Sequence, residues 1–127
     1  MARIDKYDPK DGGFRAKLGF APVAGDVGSV IPVDIDGNGL AQRAAAASAD
    51  ARGVICLSSL LAQGDPVDVM TDGELVDVTT DDVAGAAAGA SISVSTAGAT
   101  ADAAGTGRSL GFMVEAWRLV VRVGRGA

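Results

Sequence analysis

The side chains that could carry out chemistry are few in this chain and lie far apart in the sequence. There is no histidine, and the single cysteine, Cys56, stands in the apolar run 54–57. Catalytic triads, many zinc sites and most acid–base catalysis near neutral pH use histidine. The sixteen carboxylates are scattered, as solvating charges usually are. These residue types predict that the protein is not an enzyme and holds no cofactor, with Cys56 a buried, unreactive side chain.

Two short motifs resemble ligand-binding loops. Residues 34–39, DIDGNG, match the first half of an EF-hand loop, but Ala45 stands where the bidentate Glu belongs. Residues 105–111, GTGRSLG, match neither the dinucleotide fingerprint nor the P-loop spacing. We therefore expect a plain turn at 34–39, a flexible entry into a strand at 105–111, and no metal site.

Arginines cluster around the only tryptophan near the end of the chain: Arg108, Arg118, Arg122 and Arg125 lie close in sequence to Trp117. Such charges are typical either of an edge strand protected against aggregation or of a surface for an acidic neighbour. Trp117 fits either an anchor in the core or a contact between subunits.

The charge of the chain is polarised along its length. Residues 1–20 carry +2, residues 21–107 carry −10 and residues 108–127 carry +3, which gives the net charge of −5. An acidic body of this kind repels a nucleic-acid duplex, so we expect no nucleic-acid partner. No apolar run approaches the roughly 20 residues that span a bilayer, and no leader pattern is present, so we expect no membrane partner.

The elements that must position these residues are predicted to be short strands. The clearest hairpin signal consists of Val-rich runs at 67–69 and 75–78 around a turn at 71–73, with Asp68 and Asp77 facing water. Residues 40–51 are rich in Ala and allow a short helix, and residues 96–107 predict a long loop. Further strands are expected within 27–35, 54–57, 91–95, 110–114 and 117–123. Alternation puts the following sets each on one face of its strand: Ile92 with Val94, Leu110 with Phe112 and Val114, and Trp117 with Leu119, Val121 and Val123.

The first twenty residues mix charges with Pro9 and a pair of glycines and show no sustained period. They predict an extended N-terminal arm (1–20) in front of a single domain (21–127). The alternative is an ordinary first strand packed in the domain's own core. Three of the five aromatic residues, Tyr7, Phe14 and Phe20, lie in this stretch.

Six to eight short strands at turn-rich intervals, without a long amphipathic helix, predict a mostly β fold. The expected architecture is a small antiparallel β-barrel or sandwich with the N-terminal arm. With 24 alanines and five aromatic residues among its 127, the chain has a thin apolar core. A thin core favours association with other copies or with a host surface.

Six segments of the second half are similar to the small capsid decoration (cement) proteins of tailed bacteriophages. Gly-Asp turns between Val-rich strands and a late V-R-V strand are the shared features, and the similarity extends over residues 52–123. The segments are 52–55 (RGVI), 64–69 (GDPVDV), 72–78 (DGELVDV), 88–94 (AGASISV), 108–112 (RSLGF) and 119–123 (LVVRV).

This resemblance implies a small β-barrel on the outside of an icosahedral phage head, where it stabilises the capsid. It implies the major capsid protein as partner, a homotrimer, and a location on the virion exterior after assembly in the host cytoplasm. We expect the capsid contacts in the arm and the subunit interface near the only tryptophan. The capsid-contact candidates are Arg3, Lys6, Tyr7, Phe14, Arg15, Lys17 and Phe20, and the interface candidates are Trp117, Arg118 and Arg122.

Two other classes remain open at this point. One is another phage structural component, a head fibre or tail protein. The other is a non-catalytic β-barrel that binds a small ligand. An enzyme is the third option and the one that the residue types favour least.

Overall fold

The computed structural model describes residues 1–8, 11–97 and 100–123. These residues form eleven β-strands and a single 3-10 turn at Ala24–Asp26, which confirms the expected mostly β fold. The strands are β1 (Arg3–Tyr7), β2 (Gly13–Leu18), β3 (Ile31–Ile35), β4 (Leu40–Arg43), β5 (Gly53–Ile55), β6 (Pro66–Met70), β7 (Asp72–Val76), β8 (Ser91–Val94), β9 (Ala101–Asp102), β10 (Ser109–Met113) and β11 (Leu119–Arg122).

Six strands form an antiparallel sheet in the order β1-β7-β11-β10-β8-β9. The central strands β7 and β11 lie side by side with Leu75 opposite Leu119, and β10 returns along β11 with Phe112 opposite Val120. Leu75 and Leu119 are fully buried on the inner face of the sheet. The short strand β9 lies at one edge and β1 at the other, so the first strand of the chain borders this sheet.

The other five strands close into a barrel in the order β2-β4-β3-β5-β6. All its pairs are antiparallel except β2 and β4, which run parallel. The sequence predicted an antiparallel barrel, whereas this barrel contains one parallel pair. The reason is the β3–β4 hairpin, which returns the chain beside β2 in the same direction.

Strands β5 and β6 lie between two apolar cores and contribute side chains to both. Successive side chains of a strand point to opposite faces, and both strands use this alternation. Ile55 and Val69 lie in the core of the barrel, whereas Val54 and Met70 lie in the core beneath the six-stranded sheet. The outside of the barrel at β5 and β6 therefore packs against the inner face of the six-stranded sheet.

Residues 1–8 and 11–20 pair within this body, where the sequence predicted an extended arm over 1–20 before a domain at 21–127; residues 9 and 10 of that arm lie outside the described residues. Arg3 lies opposite Val76 in the sheet, Phe14 lies opposite Val69 in the barrel, and Leu18 is fully buried. Of the two alternatives that the sequence left open, the strand packed in the domain's own core describes this stretch.

The expected hairpin of residues 67–78 is wrong. Only Thr71 separates β6 from β7, yet β6 pairs with β2 and β5, whereas β7 pairs with β1 and β11. The backbone N–H groups of Thr71 and Asp72 both donate to the carbonyl of Gly12. At this point the chain leaves the barrel and enters the sheet.

Several local expectations have mixed outcomes. Ile92 and Val94 of β8 are buried, as their alternation predicted. Residues 40–51 form β4 followed by turns and irregular backbone, so the short helix is wrong. Trp117 is half exposed and does not anchor the core.

Strand β10 also departs from the expected alternation of Leu110 with Phe112. Its pairing with β8 shifts by one residue between Ser109 and Gly111. Leu110 and Met113 therefore point into the core, and Phe112 points to the outside. A bulge of this kind re-aims the side chains that follow it.

Candidate interaction surface

The outer face of the six-stranded sheet gathers residues from both ends of the chain. Strand β7, in the middle, pairs with β1 on one side and with β11 on the other, so Lys6, Glu74 and Val120 lie in one row. Half of the ten residues named from the sequence lie on or beside this face: Arg3, Lys6, Trp117, Arg118 and Arg122. We call the following set the outer face: Arg3, Lys6, Asp72, Glu74, Asp77, Phe112, Val114, Glu115, Trp117, Arg118, Val120 and Arg122.

Every cation of the outer face pairs with a carboxylate. Glu74 lies between two strands, with an oxygen 3.8 Å from Lys6 Nζ and another 3.2 Å from Arg118 Nη1. Arg122 Nη1 lies 2.8 Å from Asp72 Oδ1. Arg3 Nε lies 2.6 Å from Asp77 Oδ2.

Arg118 is the best-anchored cation, because it also holds Glu115 through two hydrogen bonds. Its Nε donates to Glu115 Oε2 at 2.7 Å and its Nη2 donates to Glu115 Oε1 at 3.0 Å. This hydrogen-bonded cation lowers the pKa of Glu115. Such a bidentate pair fixes the geometry of a planar guanidinium better than a single contact does.

The outer face is consequently neutral, although the chain is acidic. Its four cations match its four carboxylates in number, so the net charge of −5 resides on the rest of the molecule. Exposed ion pairs contribute only about 0–1 kcal/mol each to stability. These ion pairs therefore affect the binding of a charged partner to this face more than they affect the stability of the fold.

Three large apolar side chains stand on the same face around the β10–β11 connection. Phe112 is 45% exposed, Val114 37% and Trp117 50%. The guanidinium carbon of Arg118 lies 6.0 Å from the centre of the Trp117 ring, at the outer limit of a cation–π contact. A cluster of exposed aromatic and aliphatic groups inside a charged rim is typical of a protein-binding surface.

A second surface lies on β2 at the barrel. Arg15 and Lys17 point to solvent on the outside of the barrel. Phe14, which is 37% exposed, lies on the other face of the strand, opposite Val69 of the barrel core. Arg15 Nε lies 3.0 Å from Asp68 Oδ1, so this cation is paired. Lys17 makes no ion pair within residues 1–8, 11–97 and 100–123, so its charge is available to a partner. Arg15 and Lys17 are called the β2 surface below.

The remaining two candidates from the sequence are only partly accessible. Tyr7 is half-buried, its hydroxyl has no hydrogen-bond partner among the described residues, and burial raises its pKa. Phe20 is also half-buried and lies 4.5 Å beneath the guanidinium of Arg43, which in turn pairs with the buried Asp26. Both side chains support the fold more than they present a contact.

The loop motifs of the sequence have structural roles. Residues 36–39 turn β3 into β4, and Asp36 accepts hydrogen bonds from the Gln42 side chain and from the backbone N–H groups of Leu40 and Asn38. These bonds lower the pKa of Asp36. Across the described ranges, no three or more Cys, Asp or Glu side chains are grouped so as to hold a metal ion. Residues 105–108 lead into β10 as a loop.

Cys56 lies half-buried beside the start of the chain. Its Sγ is 3.2 Å from the carbonyl oxygen of Ala2. Burial raises the pKa of the thiol to about 11, which keeps it protonated near neutral pH. Within the part of the chain that is described, no helix is long and apolar enough to cross a membrane.

Comparison with known proteins adds a relation of fold. No protein-family model matches the chain, and no curated protein matches it either. Among solved structures, a chain from Mycobacterium phage Patience is similar with a TM-score of 0.78. The similarity covers 97% of this chain and 96% of that chain at 18% sequence identity. At this identity the likeness shows a shared fold, over nearly the full length of both chains.

Proposed function

We propose that this chain is a structural protein of a tailed phage that decorates the outer surface of the icosahedral head and stabilises the capsid. The fold is shared with a phage protein over 97% of the chain. The resemblance of residues 52–123 to capsid decoration proteins supports the same assignment. The proposed partner is the major capsid protein, and the proposed location is the virion exterior after assembly in the host cytoplasm.

The observation that carries this proposal is the presence of two exposed surfaces, one with large apolar side chains beside ion pairs and one with cations on β2. We assign the capsid contact to the β2 surface, because Lys17, which has no ion pair among the described residues, can meet an acidic patch of the capsid. Charge complementarity of this kind orients two proteins and speeds their association. We assign contacts between copies to the residues near Trp117, for which the resemblance implies a homotrimer and the charges of the outer face favour a pair of copies.

Stabilisation of the capsid then follows from mass action. A protein that binds assembled shells but not dissociated subunits favours the assembled state in proportion to its occupancy. No covalent chemistry and no cofactor are needed for this role. The acidic body also disfavours a nucleic-acid partner, as the charge distribution indicates.

The proposal is tested by cosedimentation with phage shells that lack the protein. We expect the wild-type chain to pellet with shells, and Lys17→Glu to reduce the bound fraction by about tenfold, because the substitution replaces attraction by repulsion. Arg52→Glu is the matched control, since Arg52 is exposed, lies outside both surfaces and changes the net charge by the same amount. The proposal fails if wild-type protein stays in the supernatant, and the β2 assignment fails if both variants bind equally.

One observation favours the ligand-binding alternative. A cavity of about 440 Å³ runs beside β1 and is lined mainly by apolar side chains, among them Met1, Ile4, Cys56 and Leu57. Pockets of this size hold small apolar molecules. Saturable binding of an apolar fluorescent dye, blocked by Ile4→Asp, together with no binding to shells, would favour this alternative over decoration.

A further inference from the structure

The outer face carries its charges in stripes that follow the strands. The first stripe is positive, with Arg3 and Lys6 on β1, and the second is negative, on and just after β7. The third stripe is positive in sum, because Arg118 and Arg122 at β11 outnumber Glu115, which pairs with Arg118. Neighbouring strands lie about 4.8 Å apart, so the sign alternates on the scale of one side chain.

This pattern is complementary to itself. Two copies can face each other about a two-fold axis that runs parallel to the strands between β7 and β11. The carboxylates of β7 in one copy then lie opposite the arginines of β11 in the other copy. The same axis places the β1 cations of each copy over β10, where Phe112 stands exposed. A cation over an aromatic ring is itself favourable.

We propose that two copies of this chain associate face to face through the outer face, about a two-fold axis. Two acidic chains repel each other wherever their negative surfaces meet, whereas the outer face has as many cations as carboxylates and lets two copies approach. A two-fold interface uses the same patch on both copies and therefore needs a self-complementary patch. The partner of the outer face is then a second copy of this chain, and the assembly is a dimer where the resemblance implies a homotrimer. The biological purpose of this dimer rests on the proposed function.

The dimensions of the face predict a weak dimer. Only β1, β7, β11 and β10 overlap about this axis, and four strands at about 4.8 Å with five residues at about 3.4 Å give roughly 330 Å² in plan. Standard interfaces bury about 800 Å² on each partner, so we expect a dissociation constant in the high micromolar range. Phe112 and Trp117 are the side chains expected to contribute most, because exposed aromatic residues that become buried dominate such interfaces.

The fluorescence of Trp117 reports on association in the wild-type protein. Trp117 is the only tryptophan, it is half exposed, and it lies on the outer face. As concentration rises from low micromolar to near-millimolar, we expect its emission to shift to shorter wavelength and its quenching by iodide to fall. Light scattering over the same series should show the mass rising from one chain to two. A mass that stays at one chain, or that rises to three, overturns the inference.

A charge-reversal pair tests the contact directly. Arg122→Glu and Asp72→Arg each leave like charges at these two positions, so we expect either variant alone to remain monomeric. An equimolar mixture opposes an acidic copy to a basic one, and association should return. Arg52→Glu should dimerise as the wild type does. No heterodimer in the mixture, with both variants folded by circular dichroism, refutes the two-fold contact.

Phe112→Ser keeps the test decisive if a charge variant does not fold. Its side chain is 45% exposed, so its loss should leave the fold intact and weaken the dimer about tenfold or more. Unchanged dimerisation of a folded Phe112→Ser variant overturns the inference. These measurements are made without shells, so they are independent of the test of the proposed function. A monomer that binds shells would refute the dimer alone. A dimer that does not bind shells would refute only the proposed function.

Discussion

Replacing Gly111 tests how closely the backbone of β11 approaches the bulge in β10. Gly111 has φ +150°, and a Cβ at this position would lie 1.9 Å from the carbonyl oxygen of Val120 and 3.1 Å from the Cα of Val121. These are backbone atoms of the adjacent strand, so no side chain can move aside. Gly111→Ala must either open the β10–β11 ladder or distort its own backbone.

The expected loss of stability has two components. The positive φ costs a residue with a side chain about 1–2 kcal/mol. Opening the ladder near Gly111 removes backbone hydrogen bonds worth about 1 kcal/mol each. Together these predict that Gly111→Ala lowers the free energy of unfolding by about 3 kcal/mol, or the melting temperature by about 12 °C for a chain of this size.

Two other glycines separate the components in the same urea titration, followed by far-UV circular dichroism. Gly64 has φ +91° but open space around a new Cβ, so Gly64→Ala should lose only about 1 kcal/mol. Gly37 also has open space and no positive φ, so Gly37→Ala should change the free energy of unfolding by less than about 0.5 kcal/mol. Equal losses for Gly111→Ala and Gly64→Ala would refute the close approach of β11 to Gly111.

Three further predictions concern ionisable groups. The hydrogen bond from Arg43, together with the backbone N–H of Val23, lowers the pKa of Asp26 even though burial acts to raise it. Asp26→Asn should therefore lose about 2 kcal/mol near neutral pH, and the difference from wild type in a pH series of urea titrations should shrink as pH falls through the folded-state pKa of Asp26. Cys56, with its pKa raised to about 11, should react with a disulfide reagent at pH 8 far more slowly in native protein than in guanidinium, and equal rates would contradict its burial. In Arg118→Gln the pKa of Glu115, followed by NMR, should rise toward the ordinary Glu value, and an unchanged pKa would mean that the ion pair does not persist in solution.

The sequence predicted those features of the fold that depend on neighbouring residues. Alternation placed Ile92 and Val94 in the core, and it did the same for Leu119 and Val121. The hairpin at 67–78 failed because pattern and turn residues describe a strand but not its partners. A single residue, Thr71, is enough for the chain to pass from one sheet to the other, and nothing in its immediate sequence marks that change.

The interaction surface was predictable as a list of residues but not as a grouping. The sequence suggested Arg3 and Lys6 for one purpose and Arg118 with Arg122 for another. The structure unites them because β7 pairs with β1 on one side and β11 on the other. Contacts between strands that are so distant in sequence have no local signal. Phe112 was missed as a surface residue for a different reason, since simple alternation does not anticipate a bulge.

The placement of the aromatic residues is the strongest physical argument for an interaction role. None of the five is fully buried: Phe14, Phe112 and Trp117 are each more than one-third exposed, and Tyr7 and Phe20 are half-buried. Both cores consist of Val, Leu, Ile, Met and Ala instead. Burial of a large aromatic side chain contributes more to folding than burial of Val or Ala, so a fold stabilised only from within would place these rings inside. Rings left at the surface regain that free energy only when a partner covers them, and two of the three lie on the outer face, where cations and carboxylates are equal in number.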